Sequence, residues 1–137
     1  MNLVNIDDLP AERLTPPGSS TWVSVKLPFA ELQGGHVDPY WMRTSDRDYL
    51  LVVPTYPAGG TAGYHLHSDT EEVYVVLSGR AKVTVDGETR DLRRGDILLT
   101  RSGSHHQLHD ITEDLTYIAV EIRCSPSPEA AAAQKWE

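Results

Sequence analysis

The sequence predicts an all-β fold, a sandwich or barrel, and three observations predict it. Short apolar or alternating runs recur at residues 22–27, 49–53, 73–77, 81–85, 97–100, 105–109 and 115–122. These runs are mostly bounded by Gly, Pro, Ser or Asp, residues that mark turns between strands. Nothing between the runs carries the 3.6-residue apolar period of an amphipathic helix. The sharpest single signal is Asp86-Gly87, set between alternating stretches at 81–85 and 88–92, because a two-residue hairpin turn needs positive φ at both central positions.

Taken in order, residues 1–20 read as an extended N-terminal arm. Pro10, Pro16, Pro17 and Gly18 oppose regular structure there, with room for one helical turn over 7–14. Residues 22–27 alternate and are rich in β-formers, so a strand is expected. His36 falls in a Gly-Gly loop and reads as a surface residue, and a further strand is expected over 40–44. Residues 49–53 form a continuous apolar run that suits a strand buried on both faces and ending at Pro54. A loop rich in Gly and Pro at 57–63 then delivers the chain to His65. The strand over 73–77 is expected to close at Ser78-Gly79, and 81–85 pairs with 88–92 across the Asp86-Gly87 turn. Strands over 97–100, 105–109 and 115–122 follow, each as a separate element. Ser127 and Pro128 suit the N-cap and first position of a short helix over 129–135. This divides the chain into an arm (1–20), one domain (21–125) and a tail (126–137).

The 137 residues fit a single domain, and 23% charged with 39% apolar residues is the balance of a globular chain. The net charge of −8 and the lack of an unbroken basic cluster argue against a nucleic-acid partner. No apolar run approaches the ~20 residues that span a bilayer, so no membrane partner is expected. The acidic start is unlike a signal peptide, and the single Cys124 cannot close an internal disulfide. Together these point to the cytoplasm.

The chemistry is concentrated at His65-Leu66-His67. Two histidines two apart on an extended strand point to one face. Glu72 follows after four residues, and the Ser104-His105-His106-Gln107-Leu108-His109 stretch can supply a fourth ligand. Imidazole with carboxylate suits transition metals better than calcium or magnesium. By strand alternation Glu71 points away from Glu72, while Tyr74 shares the face of Glu72 and could orient a substrate or act as a general acid. Tyr56, Tyr64 and Tyr117 are weaker candidates of the same kind.

The spacing resembles that of the cupins. Gly59, five residues, His65-Leu66-His67, four residues, Glu72, six residues and Gly79 match the first cupin motif. Gly95, five residues, Arg101-Ser102-Gly103, two residues, His106, three residues and Asp110 match the second, with Arg101 in place of its proline and Asp110 in place of its asparagine. The resemblance implies a double-stranded β-helix, or jelly roll, with a ligand cavity between its sheets. It also implies one divalent transition metal ion (Fe, Zn, Mn or Ni) on His65, His67, Glu72 and His106, which leaves two positions of a six-coordinate ion open. Counted from Gly103, His106 is the ligand, and alternation sends His105 and His109 to the other face. The expected function is that of a metal-dependent enzyme on a small organic molecule, with Tyr74 as a catalytic candidate. The alternative is a non-catalytic metal-dependent sensor or carrier of a small ligand. A homodimer is expected, since sheet edges need cover and related cupins exchange an N-terminal strand.

Overall fold

The computed structural model describes residues 1–34, 37 and 47–124. The strand expected over 40–44, the reading of His36 and the helix expected over 129–135 lie outside these residues. Among the described residues eight strands are present: β1 (Ala11–Leu14), β2 (Val23–Lys26), β3 (Tyr49–Tyr56), β4 (His65–Leu66), β5 (Thr70–Val85), β6 (Glu88–Arg93), β7 (Ile97–Thr100) and β8 (His105–Arg123). All pairings are antiparallel.

Two long strands organise the fold. β5 and β8 pair along nearly their whole length, from Thr70 opposite Arg123 to Val85 opposite His106. Their outer ends belong to different sheets. The first half of β5 and the second half of β8 sit with β7, β3, β2 and β1, whereas the second half of β5 and the first half of β8 sit with β6 and β4. The two sheets of the jelly roll are therefore continuous through β5 and β8, which bend where their register slips, between Val76 and Lys82. Ser78-Gly79 does not close a strand, as its composition suggested, but lies in this bend. Gly79 has φ of 97°, and a Cβ there would strike the Asp114 carbonyl, so only glycine fits. Likewise 105–109 and 115–122 are one strand. Asp110 turns it with φ of 47°, a conformation that Asn and Asp tolerate better than other side chains.

The other departures are local. The turn expected within 7–14 is a 3₁₀ turn at Ile6–Asp8, and β1 follows it, paired with β2. β3 runs past Pro54 to Tyr56; its ladder to β8 skips Val53 and Pro54, as a residue without an N–H requires. Leu50, Val52, Pro54 and Tyr56 face the core and Val53 is buried on the opposite side, so this strand is largely covered on both faces, as expected. Gln33 is fully buried and imitates a strand neighbour of Leu51. Its Oε1 accepts from the Leu51 N–H at 2.7 Å and its Nε2 donates to the Leu51 carbonyl at 3.2 Å. The Asp86-Gly87 turn is formed as read, with φ of 47° and 85°. The core lies between the sheets and includes Val23, Leu50, Val52, Val76, Val83, Leu108 and Leu115.

Candidate metal centre

The centre forms where the smaller sheet meets β5 of the larger one. β4 is only two residues long, so His67 lies just past its end, and Leu66 between the two histidines is buried and pairs with His105. His65 is the direct cross-strand partner of His106, and opposed residues in an antiparallel pair share a face. Their rings lie 4.3 Å apart, and the His67 ring lies 5.1 Å from His65 and 5.4 Å from His106. β5 brings Glu72 in from the other side, in contact with His67 Nε2 and with Oε2 3.8 Å from His106 Nε2. One potential ligand atom from each of His65, His67, Glu72 and His106 lies within 4.8 Å of the others. These four residues could hold a metal ion.

The donor set fits such an ion. His106 Nε2 is buried and has no hydrogen-bond partner among the described residues, a state that costs about 1–3 kcal/mol unless something satisfies it. His65 Nδ1 donates to the Gly63 carbonyl at 2.7 Å, which leaves Nε2 with the lone pair. Burial, with the neighbouring imidazoles His106 and His67, depresses His65 to about 3. Burial also lowers His106, against the pull of Glu72. Imidazoles neutral across the ordinary pH range can coordinate without first losing a proton. Burial alone would raise Glu72, but His67 and His106 beside it outweigh that and hold its carboxyl well below the usual range. The cluster thus combines two imidazoles biased toward the neutral form, His65 and His106, with a carboxylate biased toward the anionic form.

The rival histidines are elsewhere. His105 is exposed and stacks on Tyr64 at 5.1 Å, and His109 Nε2 is 2.7 Å from Thr84 Oγ1. Glu71 points outward to Arg101, with its Oε2 3.2 Å from Arg101 Nε. Tyr74 is buried on the face of Glu72, its ring centre 6.4 Å from that of His106 and 4.6 Å from that of Tyr117. Burial and the adjacent Glu72 carboxylate push its phenol well above its ordinary value. Tyr56 and Tyr117 are also buried behind the centre, stacked at 6.4 Å, whereas Tyr64 is exposed and takes no part. The space expected between the sheets is small: about 10 Å³, lined by Tyr56, Ala62, His65, Tyr74, His106, Leu108, Tyr117 and Glu121.

One residue of this chamber is missing from the sequence reading. Glu121 is 1% exposed and is the cross-strand partner of Glu72. Burial, then the nearby Glu72 charge, raises its carboxyl well above the usual range. Its signal is present in the sequence: along β8 the inward positions run Leu115, Tyr117, Ala119, Glu121, and a carboxylate in that series breaks the apolar pattern.

The family model for the cupin domain matches residues 52–121, a stretch that contains all four of the converging residues. The chain is a member of the cupin family. An uncharacterized protein of Streptomyces coelicolor is 29% identical to this cupin over 120 residues, covering 88% of this chain and 94% of its own. A Thermotoga maritima protein described as a predicted oxalate decarboxylase superposes with a TM-score of 0.70 at 22% identity, over 88% of this chain and 98% of its own. The polyketide cyclase RemF of Streptomyces resistomycificus does so with a TM-score of 0.63 at 20% identity, over 93% and 82%. Likenesses at these identities establish the jelly-roll fold and not a shared reaction. Among the described residues no helix is long and apolar enough to cross a membrane.

Proposed function

We propose that this cupin is a metal-dependent enzyme acting on a small organic molecule, with iron, zinc, manganese or nickel held by His65, His67, Glu72 and His106. The observation that carries this reading is the convergence of three imidazoles and one carboxylate within 4.8 Å, from β4 and the residue after it, β5 and β8. Such a centre supplies Lewis acidity toward a carbonyl, carboxylate or enolate oxygen, or activates dioxygen. The chain's own residues do the rest. Gly63 fixes the His65 tautomer, and Leu108, Tyr56 and Tyr117 wall the chamber against bulk water. Tyr74, buried beside Glu72 with its ring centre 6.4 Å from that of His106, is the residue we assign to orienting substrate or donating a proton. Enzymes among the structural neighbours support a catalytic reading over a carrier. Metal analysis of protein purified without chelators, followed by oxygen uptake with candidate substrates, tests this. Iron with uptake selects a dioxygenase; zinc without uptake selects an isomerase, cyclase, lyase or binding protein; protein without metal sinks the reading.

We also infer a homodimer in the cytoplasm. β1 is paired with β2 of its own chain and Arg13 stacks over Trp22 at 3.9 Å, so exchange of the arm is not required. Support comes instead from the outer face of the larger sheet, where Leu99, Val73, Val120 and Leu51 form one cross-strand apolar row and Ile97 beside it is 72% exposed. Such faces mark interaction sites. Light scattering that reads a monomer at micromolar concentration would count against the dimer.

A further inference from the structure

The buried carboxyl of Glu121 stands outside the four-residue cluster, and nothing assigned so far uses it. It is 1% exposed, and its Oε2 has no hydrogen-bond partner among the described residues. Its carboxyl can share a hydrogen bond with Glu72, but burying an oxygen that has no partner is costly, and an apolar side chain at this strand position would avoid the cost. No Arg or Lys is among the described residues that line the chamber, so no lining cation compensates it there. Register places it directly across from Glu72, and it lines the same small chamber as His65, His106 and Tyr74. That chamber has about 10 Å³ of open space, roughly what one water or one hydroxyl oxygen fills.

We propose that Glu121 is a ligand-contacting residue whose carboxyl, next to Tyr74, holds a single hydroxyl oxygen of the small molecule this centre takes. The substrate class is therefore a small hydroxylated compound. A hydroxyl both donates and accepts, so it satisfies a carboxyl oxygen in either protonation state. A second carboxylate or a phosphate in that position would set further acceptors against the Glu121 carboxyl with no Arg or Lys in the lining, and would exceed the space. The inference rests on the metal reading above and adds a substrate contact to it.

The test uses the whole chain loaded with cobalt(II), with glycolate and acetate as probes; both carry a carboxylate, and only glycolate carries a hydroxyl. Cobalt content and the visible spectrum of the bound ion are followed for wild type, Glu121→Gln and Glu121→Leu. Wild type is expected to take one cobalt and to prefer glycolate over acetate at least about 10-fold, the scale of a hydrogen bond to a buried polar group. Both variants should keep their cobalt, with the preference reduced in the Gln variant and close to lost in the Leu variant. A crystal structure of the wild-type cobalt form with glycolate should place the hydroxyl about 3 Å from a Glu121 oxygen, and this arm holds if the Leu variant fails to fold. An unchanged preference in the Leu variant, or a Glu121 carboxyl bonded only to protein, overturns the proposal. Loss of cobalt from the Gln variant overturns it too, by making Glu121 a metal ligand. Wild-type protein that takes up no cobalt sinks the metal reading itself, an outcome distinct from the others.

Discussion

Glu72 and Glu121 are the same residue type, directly opposed on neighbouring strands, and both are buried. Their surroundings drive them apart. Glu72 faces three imidazoles and is held as a carboxylate despite its burial, whereas Glu121 faces tyrosines and Glu72 and is pushed toward its neutral form. The chamber thus has an imidazole side that suits a cation and a tyrosine side that suits a neutral polar ligand. The contrast teaches that burial alone does not set a carboxyl's state; the charges and dipoles that replace water do.

The largest expected effect tests the imidazole side. His106→Ala should lose most bound metal and all activity with it, since it removes one of four ligands and leaves Glu72 buried beside fewer imidazoles. His105→Ala, one residue away but exposed on the opposite face, should keep near-normal metal content. Metal analysis of the two variants decides. The reverse outcome would mean that the strand is slipped by one residue, which exchanges its two faces.

A second pair separates the two sides. Glu72→Gln should weaken metal binding by about 100-fold or more, the upper end of what even an outer-shell change costs such a site. Tyr74→Phe should leave metal content intact and lower turnover by about 100-fold, the scale of a positioned proton donor. Equal metal loss in both variants would mean that Tyr74 supports the centre only structurally.

How far the sequence could be read follows the same division. The imidazole side was legible because three of its ligands are local, His65, His67 and Glu72 within eight residues, and because spacing counted from Gly103 picks His106 while alternation sends His105 to the other face. The Asp86-Gly87 hairpin was legible for the same reason. On the tyrosine side Tyr74 was legible by alternation from Glu72, but placing Glu121 opposite Glu72 depends on the pairing of β5 with β8, which joins residues about fifty apart in sequence. Those two strands were each read as two. Ser78-Gly79 and Asp110 look like chain turns, and only the long-range ladder shows them to be bends inside a strand. β1 was missed because it is an edge strand with three exposed residues, Ala11, Glu12 and Arg13, and so carries no core pattern.

The smallest effect, and the most direct measure of the contrast, is the pH dependence of stability in metal-free protein. His65 sits at about 3 in the fold, against 6.5 for an ordinary histidine. Between those values the unfolded chain takes up a proton that the folded chain refuses, so stability falls as pH drops through this window. Glu72, held low in the fold, acts in the same direction, since its contribution is lost as pH falls. Glu121 has the opposite sign. Above its ordinary value of 4.5 the unfolded chain releases a proton that the folded chain keeps, so its contribution is lost as pH rises. Glu121→Gln removes that contribution. The urea midpoint of the Gln variant, measured against wild type from pH 5 to 8, should therefore gain on wild type steadily as pH rises. A difference that stays flat across this range would show that Glu121 keeps the same charge folded and unfolded, and that the two sides of the chamber are electrostatically alike.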